Sequence, residues 1–150
     1  MQTIVIATDG SPASAEALAF GLGLARDEHA VAVVVHVAPR FDLVPTSLFG
    51  VVGWQTRAPT EAERGILDDA LANAASAGVR ARCELLTGDP ADEIVAYADV
   101  IDADLIVVGS HGFGGLSSVV HGSVSRGVLN HAHRPVLVVR GARAPAVSVG

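Results

Sequence analysis

Five short apolar runs rich in β-branched residues recur along the chain, at Thr3 to Ala7, Val31 to Val37, Val79 to Leu86, Leu105 to Val108 and Val136 to Val139, each separated from the next by a segment of helical pattern. Short strands alternating with helices specify a parallel sheet covered on both faces, because each crossover must return over the sheet before the next strand can start. The expected fold is therefore α/β: a three-layer sandwich of βαβαβαβαβ order, Rossmann-like, with the sheet in the middle. Neither a linker-like composition, an internal repeat nor a low-complexity tract divides the 150 residues, so one domain spanning 1–150 is expected. With 50% hydrophobic and 17% charged residues, the chain has ample core-forming material, and intrinsic disorder is excluded.

The helical segments carry their own boundary signals. Ser11 precedes Pro12 as an N-cap before a helix to about Ala25, on which Ala15, Leu18, Ala19 and Leu22 are expected to share the buried face. Thr60-Glu61-Ala62-Glu63 has the spacing of a capping box, opening a second helix that ends before Gly78. A third starts at Asp89-Pro90 and runs to about Ile101, and a fourth runs from Gly122-Ser123 to about His131, stopped by Pro135. Between Ala38 and Pro59 lies a connection too long to be an idle loop. It contains Phe41, Leu43, Val44, Leu48, Phe49, Val51, Val52 and Trp54, and is expected to be an Ω-like loop folding its own side chains onto the domain, with a lid or subunit contact as the alternative.

Composition removes several functions. The formal net charge is −6 and no Lys/Arg run is present, so nucleic acid is not an expected partner. All basic residues are arginine, and a P-loop, whose lysine reaches the β- and γ-phosphates, cannot be built without lysine. The one cysteine, Cys83, cannot form an internal disulfide and has no Cys/His quartet around it for zinc. No signal peptide and no apolar stretch of membrane-spanning length is read, and a cytoplasmic location is expected.

Open parallel sheets bind ligands beyond the carboxyl ends of their strands, where strand order reverses. Two segments fall at such ends. Asp9-Gly10-Ser11 follows the first strand; Asp9 there can cap the helix, contact a ribose or hold a cation. The stretch from Gly109 to Ser123 places glycines at 109, 112, 114, 115 and 122 between a strand and a helix. It can be a flexible loop, or an anion cradle in which backbone N–H groups approach a phosphate at a helix N-terminus.

The spacing Gly109-x2-Gly112-x9-Gly122-Ser123 resembles the nucleotide-binding signature of the universal stress protein family. The likeness extends to Ile4-Val5-Ile6-Ala7-Thr8-Asp9-Gly10-Ser11 as first strand and turn, to Val35-His36-Val37 and to Arg134-Pro135-Val136-Leu137-Val138-Val139. The resemblance implies a five-stranded sheet of order 3-2-1-4-5 with its switch point between strands one and four. It implies a ligand, ATP or another adenine nucleotide, with Mg2+. By matching position, Ala7, Thr8 and Asp9 would line the nucleoside side, with Asp9 near ribose or metal, and Val37 would contact adenine. Val108, Gly109, Gly112, Gly114 and Gly115 would flank the nucleoside and phosphates, and Gly122, Ser123, Val124 and Ser125 would form the phosphate-binding helix start. Many members carry a basic residue just after the first Gly-x2-Gly or just before the last glycine pair. Here Phe113 and the run Ser117 to His121 offer no fixed charge, and Arg126, one turn into the helix, is the available substitute.

Rival chemistries are weaker. No Gly-x-Ser-x-Gly elbow exists for a serine hydrolase, and Gly-x-Gly-x-x-Gly is missing from the first strand-helix turn. His36 reads as packed and hydrogen-bonded, and His131 and His133 suit a helix end. His111 and His121 border the glycine segment. Binding and signalling rather than turnover are expected, in a regulatory stress protein, with slow ATP hydrolysis left open. The alternatives are an AMP or cyclic AMP binder, or a nucleotide-independent chaperone-like scaffold. Val136 to Val139 should be an apolar edge strand that invites pairing with its copy, and the resemblance likewise implies a homodimer through it.

Overall fold

The computed structural model describes residues 1–45, 52–110 and 122–141. Gly112, Gly114, Gly115, His111, Phe113 and the run Ser117 to His121 lie outside the described residues, as do Leu48, Phe49 and Val51. In chain order the elements are β1 (Thr3–Ala7), α1 (Pro12–Glu28), β2 (Val31–Ala38), β3 (Phe41–Pro45), β4 (Val52–Thr56), α2 (Glu61–Ser76), β5 (Ala81–Thr87), α3 (Pro90–Val100), β6 (Leu105–Gly109), α4 (Ser123–His131) and β7 (Val136–Val139). The main sheet has five strands in the order β5-β2-β1-β6-β7, all pairs parallel. This is the expected 3-2-1-4-5 once the two additional strands are counted.

Alternation along each strand divides the core in two. Ile4, Ile6, Ala32, Val34, Leu105 and Val107 face α1 and α2, packing on Leu18, Leu22, Leu67 and Ala74. Val5, Ala7, Val33, Val35, Val37, Ile106 and Val108 face α3 and α4, packing on Ile94, Val95, Ala98 and Val128. A sheet sealed on both faces leaves the strand ends as its accessible parts.

Local chemistry sets the helix ends. Ser11 caps α1 by accepting from Ser14 N, and Asp89 caps α3 by accepting from Asp92 N. Thr60 and Glu63 form both halves of the capping box. Three helices end in the same way: the N–H groups of His29 and Ala30 reach Arg26 O and Ala25 O, those of Gly78 and Val79 reach Ala75 O and Ala74 O, and those of Asp102 and Ala103 reach Asp99 O and Ala98 O. Each pair satisfies carbonyls left over at the last turn around one left-handed residue, with φ of 54° at His29, 70° at Gly78 and 55° at Asp102. Val79, expected to begin a strand, is spent closing α2, so β5 starts at Ala81.

Two further expectations are corrected. The buried residues of α1 are Ser14, Ala17, Leu18, Gly21, Leu22 and Ala25, whereas Ala15 and Ala19 are exposed. A Cβ on Gly21 would lie 2.7 Å from Ile6 Cδ1, so the glycine lets α1 settle on β1, and that contact fixes which stripe turns inward. The connection from Ala38 to Pro59 is not an Ω-like loop: Phe41–Pro45 and Val52–Thr56 pair antiparallel, from Phe41↔Thr56 to Pro45↔Val52. β-branched and aromatic residues in both segments suit such a ladder. Its base is held by Arg57, whose guanidinium donates to Glu63 at the start of α2 and lies 3.5 Å from Asp42 on β3. Among the described residues, no helix is long and apolar enough to cross a membrane.

Candidate functional site

The register Ile6↔Val107 sets the carboxyl end of β1 beside that of β6, so Ala7 and Thr8 adjoin Val108 and Gly109. Strand order reverses here: the chain leaves β1 for α1 on one face of the sheet and leaves β6 for α4 on the other. The expected switch point is present.

The turn after β1 is tightly organised. Thr8 and Ser14 are buried, and their hydroxyl oxygens lie 3.1 Å apart. Asp9 N donates to Ser14 Oγ at 3.3 Å, and Gly10 N donates to Thr8 Oγ1 at 3.3 Å. The Asp9 carboxylate accepts from Ser11 N at 2.9 Å, a local turn bond, while the cap of α1 is Ser11 rather than Asp9. Gly10 has φ 79° and would meet Ile66 if it carried a Cβ. Among the described residues, no group of three or more His, Cys, Asp or Glu side chains could hold a metal ion. Mg2+ bound with a polyphosphate takes one or two carboxylates besides water and phosphate oxygens, a demand that Asp9 alone can meet.

Ala7, Val37 and Val108 are all buried on the α3/α4 face, so what they offer a ligand is backbone and a wall rather than an exposed side chain. Gly109 ends β6 where a Cβ would come within 3.3 Å of the Ala13 carbonyl oxygen; close packing of α1 already calls for glycine there. Val124 packs against the same core, leaving its amide as the contribution to a site.

The start of α4 has the features of an anion site. Gly122 is its N-cap, left-handed at φ 75° and ψ 18°, and among the described residues no side chain caps the helix. A Cβ on Gly122 would stand 3.0 Å from Ser125 Oγ and 3.2 Å from Ser110 O, so the turn is shaped around the missing side chain. Ser125 is buried, and its hydroxyl donates to Gly122 O at 3.0 Å. Ser110 Oγ is buried and has no hydrogen-bond partner among the described residues. An uncapped helix start concentrates free N–H donors and partial positive charge.

The described residues do not bring all predicted positions into one cavity. Gly122 and Ser125 line an open cleft of about 420 Å³ between α4 and β7, together with Ser110, Arg126, Leu129, Val138 and Arg140. Ser123 and Val124 line another of about 360 Å³ between α3 and α4, with Asp89, Asp92 and His131. Thr8 belongs to a third, of about 230 Å³, between α1 and α2.

The family model described as "Universal stress protein family" matches residues 1–140. The chain belongs to this family. Universal stress protein MJ0531 of Methanocaldococcus jannaschii is 37% identical over 139 residues, covering 91% of this chain and 81% of that protein. A crystal structure of a universal stress protein in complex with cAMP superposes with TM-score 0.70 at 27% identity, over 92% of this chain and 95% of that one. The universal stress protein from Archaeoglobus fulgidus in complex with dAMP superposes with TM-score 0.65 at 26% identity, over 92% and 97%.

Within this universal stress protein, sequence reasoning overlooked Ser14, which joins Thr8 to the α1 cap, and Arg140 in the α4–β7 cleft. Arg140 was legible from period-two alternation: it lies two residues beyond Val138, which places the two on one side of the strand direction. Ser14 carried no such signal, since a serine one turn into a helix reads as solvent-facing.

Proposed function

We propose that this universal stress protein binds an adenine nucleotide, ATP in the first instance, and works as a regulatory protein whose occupancy alters its contacts with partners. The nucleoside lies across the ends of β1 and β6, bounded by Asp9, Val37 and Gly109. The phosphates sit on the amides of Ser123, Val124 and Ser125, and Asp9 would hold a Mg2+ ion, which would supply positive charge to offset that of the phosphates. The observation that carries this reading is the start of α4 at left-handed Gly122, which no side chain caps among the described residues, next to the Ser110 hydroxyl, buried and without a partner among the described residues. Structural neighbours in complex with cAMP and dAMP supply the adenine.

Turnover is not part of the proposal, because the chain has no lysine with which to build a P-loop. The edge position of β7 supports a homodimer formed by pairing that strand with its copy; a protein that sediments as monomer at micromolar concentration would remove the dimer. Calorimetric titration with ATP, ADP, AMP and cyclic AMP tests the ligand. Millimolar or tighter binding of at least one is expected, and Gly122→Val, which forces a β-branched residue into the left-handed region, should weaken it at least tenfold. Absence of binding by all four would refute the reading.

A further inference from the structure

We propose that Ser14 is a positioning residue of the nucleotide site: its buried hydroxyl holds the turn that carries Asp9, and through that turn sets the Asp9 carboxylate toward the nucleoside. The inference rests on the adenine-nucleotide reading above and deepens it. Ser14 is set apart from the ligand itself. It is 1% exposed and lies in the first turn of α1, against Thr8, which by alternation from Ile4 and Ile6 belongs to the α1/α2 side of the sheet. Val37 and Val108, beside the nucleoside, belong to the opposite side.

The hydrogen bonds around Ser14 have one consistent direction. Its hydroxyl donates to Ser11 O at 3.0 Å, so toward Thr8 Oγ1, 3.1 Å away, it accepts, and Thr8 is the donor. Ser14 Oγ also accepts from Asp9 N at 3.3 Å, and Thr8 Oγ1 accepts from Gly10 N at 3.3 Å. A serine hydroxyl has one proton and two lone pairs, and all three are engaged here. The amides of Asp9 and Gly10 therefore both end on this hydroxyl pair. Ser14 closes the turn from the helix side as well, because its own amide donates to the Ser11 hydroxyl at 3.2 Å.

Removing the Ser14 oxygen leaves two donors, the Asp9 amide and the Thr8 hydroxyl, without their acceptor. The Asp9 peptide then rotates toward another partner and carries its carboxylate along. A carboxylate already in place costs a ligand nothing in ordering, whereas a displaced one must be brought back at the expense of affinity. The effect of Ser14 on binding should for that reason run through Asp9.

The test is calorimetric titration of ATP into the wild type, S14A, S14T, D9A and the S14A/D9A double variant. G21A is the control, since it strains α1 against Ile6 without touching the turn. Circular dichroism and urea unfolding establish that each variant is folded; should S14A fail to fold, S14C, whose thiol is a weak acceptor, takes its place. Ser14 lines a cavity of about 230 Å³, so the added methyl of S14T has room beside a retained hydroxyl. S14A is expected to weaken ATP about fivefold or more, the scale of one lost hydrogen bond, while S14T and G21A stay within about twofold of the wild type. D9A should bind ATP more weakly than the wild type, and the double variant should match D9A within about twofold, because no carboxylate remains to be set. The assignment is overturned, with nucleotide binding intact, if S14A or D9A binds ATP as tightly as the wild type. It is equally overturned if S14A weakens the D9A protein as much as it weakens the wild type, or if G21A weakens ATP as much as S14A does. Absence of binding of ATP, ADP, AMP and cyclic AMP by the wild type overturns the functional reading, and this one with it.

Discussion

The Nδ1–H of His36 donates to the carbonyl oxygen of Thr8 across 2.9 Å, tying the last turn of β2 to the segment that leaves β1. A carbonyl accepts and cannot donate, so the proton is on Nδ1. Both residues are buried, and Thr8 N in turn donates to Val35 O. His36→Leu should therefore cost about 1–3 kcal/mol, the penalty for leaving a buried carbonyl without its donor. Urea unfolding measures it, and a loss below about 0.5 kcal/mol would show that the bond is dispensable.

Two glycines of α1 should respond to alanine with opposite signs. A Cβ at Gly21 would lie 2.7 Å from Ile6 Cδ1, while one at Gly23 has nothing within 4 Å. Gly21→Ala overpacks a closed core and should destabilise by about 1–3 kcal/mol. Gly23→Ala gains helix propensity with no clash and should stabilise by about 0.5–1 kcal/mol. Thermal melts of the two variants check the pair.

Acid should weaken the fold through three carboxylates. Hydrogen bonding from Arg57, aided by the Thr60 amide, holds the Glu63 carboxyl below its ordinary value. His133 and Arg134 do the same for Asp99, and the Thr3 and Gln2 amides for Asp104. A carboxyl with a folded pKa below its unfolded value of about 4 stabilises the native state above that pH, and the contribution disappears as pH falls through the folded pKa. Urea midpoints should stay level down to about pH 5 and fall between about pH 4.5 and 3. Asp104→Asn, which loses the ionic acceptor for two amides, should be less stable at pH 7 and show a shallower acid limb.

Burial pushes the Cys83 thiol up to about 11, with Asp68 and Glu84 adding to the effect, and its Sγ lies 3.5 Å from Leu67 O. The thiolate is the reactive form, so iodoacetamide at pH 8 should modify the native protein far more slowly than the urea-unfolded chain. Equal rates would contradict this environment.

The main sheet was readable in advance because its strands and helices carry local marks. Ser11-Pro12, Thr60 with Glu63, and Asp89-Pro90 each satisfy orphan amides through near neighbours in sequence, so their boundaries appear in the sequence itself. What escaped depends on distant partners. The inward stripe of α1 is chosen by the fit of Gly21 on Ile6, and two of three left-handed helix ends, His29 and Asp102, lack the glycine that marks the third at Gly78. The hairpin needs pairing between two segments of one long connection, and its anchor Arg57 meets Glu63 from outside the capping box. At the site, Gly122 and its helix were legible from spacing. The enclosure of the Ser110 hydroxyl and the cleft that Arg126 and Arg140 both line arise from packing α4 against β7.

The central claim is that backbone amides at the start of α4, rather than a lysine, hold the phosphates of an adenine nucleotide at the junction of β1 and β6. A crystal structure of the protein grown with ATP and Mg2+ addresses it most directly. The account predicts phosphate oxygens within hydrogen-bond distance of the amides of Ser123 to Ser125, with the adenosine reaching toward Asp9 and Val37. An ATP molecule bound elsewhere, with that first helical turn contacting no phosphate, would contradict it.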